Sequence, residues 1–160
     1  MMSNYRVTKF NVISGNAPHM GTDYEYWKQL KHQAERVLEE AQELYDSACA
    51  EDMKGTLDGF LDVRYTNEYM EDLLLAGDVD TKKAWDAVCL NNDTKYTTSF
   101  TYASESRDFL EDKGEVCYIE SVQYEGELHY TVKRCSDNKV MKLKFHESPD
   151  ISRYVPEVYK

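Results

Sequence analysis

The sequence contains no apolar run that approaches ~20 residues, the length that a membrane-spanning helix requires, and no signal peptide is recognisable. It also contains no internal repeat and no low-complexity segment. We therefore expect a protein without a membrane partner, located in the cytoplasm.

Zinc-type and disulfide patterns are missing as well. The four cysteines, Cys49, Cys89, Cys117 and Cys135, form no CxxC pair and have no histidine at zinc-ligand spacing. We interpret them as reduced thiols.

Positive charge is scarce, with 19 Lys and Arg against 30 Asp and Glu and a formal net charge of -11. Such a surface argues against non-specific binding of nucleic acid or anionic membranes. An anionic ligand would have to be recruited by metal ions or by a local basic patch.

The 160 residues, 41% hydrophobic and 31% charged, are typical of one soluble globular domain. We predict a single domain over 1–160 of mainly α class, a helical bundle with a core at about 22–95 and a small C-terminal antiparallel β appendage at about 114–147. The lead-in before residue 21 is expected to pack on this core.

Capping and stop signals predict three helices. The predicted boundaries are a start at the capping box Thr22–Glu25 with an end near Ala50, a start at Thr56 with an end at Ala76–Gly77, and a start at Asp80 or Thr81.

After these helices, residues 96–106 are interpreted as a connecting loop and 107–113 as one helical turn. From Val116 to Phe145 apolar residues alternate with polar ones, which predicts a three-stranded meander or a hairpin with an irregular third strand. The lysines of this region either protect an edge strand or bind an anion.

Two acidic segments are the main candidate site. Glu40 and Glu43 share one helix face, as do Asp58 and Asp62, because residues three and four apart are neighbours on a helix. Glu40 borders an apolar stripe, where a carboxylate is costly without a partner. Four such carboxylates predict an all-oxygen site for a hard cation, Mg2+ or Mn2+; the alternative is an ordinary solvated surface.

The ordered motifs resemble the MazG-like, all-α nucleoside triphosphate pyrophosphohydrolase superfamily, whose usual pattern is EExxE followed by ExxD. Here Glu39, Glu40 and Glu43 match the first element and Asp62 matches the final Asp. Gly59 stands where the second Glu is expected, so the run at 58–65 is closer to the DGxxDxxY variant of phage-encoded members. Either Asp58 takes the fourth ligand position or the site has three carboxylates.

Further motifs extend the resemblance over roughly residues 10–150. Asn91–Lys95 is similar to the family's SN.SK signature, and Ser136–Lys142 to a DGKVLK tail. The resemblance implies catalytic roles for Glu39, Glu40, Glu43 and Asp62, and metal binding by Glu40, Glu43, Asp58 and Asp62. It implies substrate contacts by Tyr65, Asn92, Lys95, Lys139 and Lys142.

The implied activity is Mg2+-dependent hydrolysis of a nucleoside triphosphate, or a related nucleotide, to the monophosphate and pyrophosphate. The implied assembly is a homodimer or homotetramer, in the host cytoplasm if a phage encodes the chain. The substrate stays open among a canonical or modified deoxynucleotide, phosphoribosyl-ATP and a guanosine alarmone. The alternative function is an acidic, non-enzymatic interaction protein, either a DNA mimic or an inactive dimeric family member.

Overall fold

The computed structural model describes residues 5–21 and 23–160. Within these residues the helices are α1 (Tyr5–Ile13), α2 (Tyr24–Cys49), α3 (Met53–Ala76), α4 (Thr81–Asp93) and α5 (Phe100–Glu111). The strands are β1 (Tyr96–Thr97), β2 (Cys117–Tyr124) and β3 (Glu127–Arg134), and two 3-10 turns span Ser152–Tyr154 and Glu157–Tyr159. The predicted mainly α fold with an antiparallel β appendage toward the C-terminus is confirmed.

The chain divides into two compact units. The first comprises the residues up to Ala84 together with Ile151–Lys160, and the second comprises Trp85–Asp150. The predicted β appendage belongs to the second unit, which also contains α5. The single domain over 1–160 stays a prediction.

Helices α2 and α3 form the hairpin of the first unit. Asp23 caps α2 by accepting hydrogen bonds from the backbone N–H groups of Glu25 and Tyr26. The predicted cap residue Thr22 lies outside the described residues. The predicted start of α3 at Thr56 is wrong, because Asp52 caps this helix one turn earlier. Its end at Gly77 is confirmed.

A small core fastens α1 to this hairpin. Val7 of α1 is buried with Tyr69 and Leu73 of α3, so the predicted packing of the lead-in on the core is confirmed for its described part; residues 1–4 of the predicted lead-in lie outside the described residues. Tyr26 of α2 is also buried, and its hydroxyl donates to the backbone carbonyl of Leu73 over 2.9 Å. These contacts fix the three helices around the cavity described below.

The second unit contains a sheet of order β1-β3-β2 with antiparallel pairing throughout. The prediction of a connecting loop at 96–106 is wrong, since this segment contains β1 and the start of α5. Ser99 caps α5, and Ala103, Ser106 and Leu110 form its buried face. The helical spacing of this segment was overlooked because the segment is rich in serine and threonine, which are also typical of loops.

The hairpin β2–β3 is continued by an irregular third segment rather than by a regular third strand. Lys133 and Val140 form one isolated bridge, and Leu143 is buried in the core of this unit. Of the two predicted arrangements, the hairpin with an irregular third segment is therefore the one present, while β1 supplies the third strand of the sheet.

Candidate active site

A cavity of about 410 Å³ lies among α1, α2 and α3 of the first unit. Its lining combines carboxylates, amides and aromatic rings from all three helices and the segment after α1. The lining residues are Phe10, Asn11, Asn16, Gln29, His32, Gln33, Arg36, Glu40, Asp62, Tyr65, Thr66 and Tyr69. Three residues that the sequence singled out, Glu40, Asp62 and Tyr65, therefore meet in one cavity.

Glu40 is the most enclosed of the predicted acids, with a side chain only 15% exposed. Burial raises the pKa of this carboxyl, and the negative charges of Asp62 and Glu43 raise it further. Arg36 opposes the shift, but its guanidinium stays 4.0 Å from Glu40 and lies closer to Glu39, at 3.4 Å. The acids are therefore close enough to repel one another and are only partly neutralised.

The other predicted acids lie further out. Glu39, Glu43 and Asp58 are exposed, and none of them lines the cavity. Among residues 5–21 and 23–160, no group of three or more His, Cys, Asp and Glu side chains is arranged to hold a metal ion. The four-carboxylate metal site thus stays a prediction, of which the cavity contains two members, Glu40 and Asp62.

Two protein carboxylates are enough for a Mg2+ ion that is also bound by water and by substrate phosphates. This ion is usually bound through one or two carboxylates, several waters and the phosphates of a substrate, rather than by a cage built only from protein. A partly buried glutamate beside a second acid offers the hard oxygen donors that it prefers. Glu40 and Asp62 therefore fit Mg2+ in a substrate complex.

Gly59 has a packing role that the sequence did not reveal. A β-carbon at this position would lie 2.8 Å from Cα and 3.0 Å from the backbone nitrogen of Leu44, so α3 crosses α2 in direct backbone contact here. No side chain fits into that space. The position at which the family pattern places a glutamate is closed by the helix crossing.

Amides and rings form the rest of the cavity wall. Gln33 is buried and donates its side-chain N–H to the carbonyl of Thr66 over 2.7 Å, which ties α2 to α3. Phe10 meets Tyr65 edge to face at 6.2 Å between ring centroids. The hydroxyl of Tyr69 donates to the carbonyl of Asn16, which holds the chain after α1 against α3.

Sequence reasoning missed this wall, although part of its signal was present. Gln29, Gln33, Arg36 and Glu40 recur at steps of four, three and four, so they share one face of α2. Polar residues that continue the face of a candidate acid are a detectable pattern. Phe10 and Asn11 line the cavity only because α1 packs beside α3, and no local sequence pattern predicts that packing.

The remaining predicted substrate residues lie in the second unit, where three of the four form one group. Lys95 donates from Nζ to Oδ1 of Asn92 over 2.5 Å, and Thr94 contacts Nδ1 of His146 at 2.8 Å. Burial lowers the pKa of His146, and the positive charges of Lys142 and Lys95 lower it further. We call Asn92, Thr94, Lys95, Lys142 and His146 the histidine cluster.

Lys139 is not part of the histidine cluster. It is exposed in the turn after β3, where its backbone N–H donates to Asp137 over 3.2 Å. Neighbouring basic residues are engaged elsewhere, since Lys133 pairs with Glu120, and Arg134 with Asp137 and Glu115. His146 was missed because it follows the basic stretch as a single residue without a motif.

The fold and the cavity together define a structural class, that of a mainly helical protein with a cavity between helices that is lined in part by acids. Comparison of the chain with protein-family models, with curated proteins and with solved structures gives no match. Within the described ranges 5–21 and 23–160, no helix is both long enough and apolar enough to cross a membrane.

Proposed function

We propose that the chain is a Mg2+-dependent nucleotide pyrophosphohydrolase of MazG-like type, acting in the cytoplasm. The observation that carries this proposal is the cavity of about 410 Å³, which holds Glu40 and Asp62 together with aromatic rings and amides. A nucleotide offers matching chemistry, since phosphates need a cation beside carboxylates and a base needs rings and hydrogen-bonding amides.

Each cavity residue has a proposed part in the reaction. Hydrolysis adds one water across the anhydride bond between the α- and β-phosphorus, and gives a monophosphate and pyrophosphate. Glu40 and Asp62 would hold Mg2+, which would supply neutralisation of phosphate oxygens and activation of water. Arg36 attracts phosphate, while Tyr65 and Phe10 contact the base.

The exposed acids have secondary parts in the proposal. The charge of Glu43 raises the pKa of Glu40, and Glu43 is a proposed further ligand of the cation. Glu39 serves as a base through an intervening water. Asp58 remains the proposed substitute for the family's missing glutamate, on the face of α3 that also carries Asp62.

In the second unit, the histidine cluster is a proposed anion-binding group in its own right, and the motif resemblance gives Asn92, Lys95 and Lys142 the role of substrate contacts. Lys95 and Lys142 supply the positive charge and Asn92 a neutral donor. No ion pair of either lysine is found within residues 5–21 and 23–160. In a chain of net charge -11 such a cluster is a favourable place for an anion. Lys139 is exposed in the turn after β3, and only the motif resemblance supports a substrate contact by this residue.

We also propose a homodimer or homotetramer. Large apolar side chains of the α2–α3 hairpin face solvent, among them Leu38, which is 70% exposed, and Phe60, which is 52% exposed. Val63, Met70 and Leu74 on the same side of α3 as Phe60 are only half-buried. Two long helices with such faces gain stability by pairing with a second copy.

The test is a screen for pyrophosphate release across nucleoside triphosphates, phosphoribosyl-ATP and guanosine alarmones, with Mg2+ and with EDTA. Glu40→Gln should abolish release, because it removes the most enclosed metal-binding carboxylate. Glu35→Gln is the matched control, since Glu35 is exposed on the same helix outside the cavity. Equal rates in EDTA and Mg2+, or full activity of Glu40→Gln, would contradict the proposal.

One observation favours the second candidate, an inactive dimeric family member. The described residues contain no three-ligand metal group. An inactive scaffold should form the same dimer but neither bind Mg2+ nor release pyrophosphate from any nucleotide in the screen. Isothermal titration with Mg2+, in the presence and absence of a non-hydrolysable nucleotide, separates the two candidates.

A further inference from the structure

The sheet of the second unit has one face that is not part of the core. Cys117 and Val132 point to the other side, where they are buried with Ala103 and Leu110 of α5. Residues alternate between the two faces of a strand. The outer face therefore carries Val122 and Tyr124 of β2, His129 of β3 and Tyr96 of β1, in the register that pairs Val122 with His129.

These side chains form an aromatic pocket of about 570 Å³. Its lining residues are Tyr96, Val122, Tyr124, Glu125, Glu127, His129 and Thr131. The His129 ring lies 5.6 Å from that of Tyr96 and 6.3 Å from that of Tyr124, at angles of 70° and 71°. Tyr124 nevertheless remains 63% exposed. The tyrosine rings thus flank the imidazole and leave surface available to a ligand.

The charge of the aromatic pocket has one sign. Glu125 and Glu127 belong to its lining, whereas no lysine or arginine does. Neither glutamate forms an ion pair with the part of the chain that the structure describes, 5–21 and 23–160. The next acid along this face, Glu120, is already paired with Lys133. Rings beside uncompensated carboxylates attract a cation and repel phosphate.

We propose that the aromatic pocket binds the guanidinium group of an arginine presented by a partner protein. A guanidinium is planar and weakly hydrated, so it stacks on a tyrosine face more readily than an ammonium group does. Its N–H groups also donate two parallel hydrogen bonds to one carboxylate, which Glu127 offers. The open position of the pocket beside the β2–β3 turn suits a side chain that projects from another protein.

The test uses N-acetyl-arginine amide, with N-acetyl-citrulline amide as the uncharged ligand of the same shape. Titration of the full chain is followed by 15N and aromatic NMR at about pH 8, where imidazoles are uncharged. The arginine amide should shift the signals of Tyr96, Tyr124 and His129 with a dissociation constant on the order of millimolar, as expected for one side chain. The citrulline amide should leave them unchanged.

Two variants and one control locate the contact. Tyr124→Leu keeps apolar volume but removes a ring, and Glu127→Gln removes the carboxylate charge; each should weaken binding about 3- to 10-fold. Glu105→Gln changes an exposed glutamate of α5 and should bind as the parent does. All three positions are exposed, so the fold should tolerate the changes.

Three results would overturn the assignment. Equal binding of the citrulline amide would show that charge plays no part. Binding of tetramethylammonium as strong as that of the arginine amide, with no loss in Glu127→Gln, would make the pocket one for alkylammonium groups. Concentration-dependent shifts of the same signals without any ligand would show that a second copy of the chain covers this face.

Discussion

Replacement of Gly59 by alanine probes the helix crossing that supports the candidate active site. The new β-carbon would lie 2.8 Å from Cα, 3.0 Å from the backbone nitrogen and 3.1 Å from Cβ of Leu44. Backbone atoms cannot rotate away as the end of a side chain can, so α2 and α3 must separate locally. Glu40 and Asp62 lie one turn from this crossing and should move apart with it.

The expected loss follows from two opposing effects. Overpacking against a backbone costs up to about 3 kcal/mol. Replacing glycine by alanine inside a helix stabilises the helix by about 1 kcal/mol. The free energy of unfolding should therefore fall by up to about 2 kcal/mol, which lowers Tm by up to about 4–8 °C for a chain of this size.

Gly55→Ala is the matched control in the same helix. Its β-carbon would meet Oδ2 of Asp52 at 2.6 Å and Oγ of Ser47 at 2.8 Å, and both atoms are ends of side chains. Moving Asp52 disturbs a helix cap, which costs about 1 kcal/mol, and the gain from alanine offsets that cost. The net change should be close to zero.

Both variants are to be measured by urea and thermal unfolding, followed by circular dichroism in EDTA. Equal stability of Gly59→Ala and Gly55→Ala would refute the argument from the crossing. Gly59→Glu, which places the acid of the family pattern at this position, should be less stable than Gly59→Ala. It should not strengthen Mg2+ binding either, because the side chain has no space beside Leu44.

Three further predictions concern charge and assembly. The pKa of Glu40 is raised in the folded state, so the folded state binds more protons than the unfolded state does near this pKa. The free energy of unfolding therefore falls as pH rises above 4.5, the ordinary pKa of a glutamate. Glu40→Gln should remove this pH-dependent loss of stability and raise Tm at neutral pH in EDTA. An unchanged Tm would contradict this prediction. Lys142→Gln should raise the pKa of His146 in an NMR titration, because it removes a nearby positive charge, whereas Lys139→Gln should leave it unchanged. Phe60→Asp should shift sedimentation at micromolar concentration from a dimer toward a monomer; a parent chain already monomeric there would refute the proposed assembly.

Local patterns in the sequence were sufficient for part of the fold and for part of the site. The start of α2 and the C-terminal ends of α2 and α3 were predictable within a few residues, because a cap and the stop at Gly77 act through neighbouring backbone groups. The meeting of Glu40 with Asp62 followed from helical spacing on two consecutive helices. The first inference depends on neighbouring backbone groups, and the second on residue spacing within each of two helices joined by a short loop.

The features that could not be predicted depend on distant contacts. Helix α5 was hidden because its buried face includes Ser106, which accepts a hydrogen bond from the backbone of Lys144, 38 positions later. The role of Gly59 appears only when Leu44 approaches it. His146 comes near Lys95 only after the chain has passed through β1, α5, β2 and β3.

The placement of Glu40 is itself an argument for a charged ligand. Its side chain is mostly enclosed, its carboxylate is repelled by Asp62, Glu43 and Glu39, and the guanidinium of Arg36 stays 4.0 Å away. Glutamine at this position would fill the same volume without that repulsion, so the acid reduces the stability of the isolated chain. Departures of this kind from local physical rules concentrate at functional sites. The ion pair with Arg36 offsets only part of the repulsion, whereas a bound cation would turn the repulsion into ligation. Stabilisation of the parent chain by Mg2+, absent in Glu40→Gln, is therefore the result that separates a metal-dependent enzyme from an inactive scaffold.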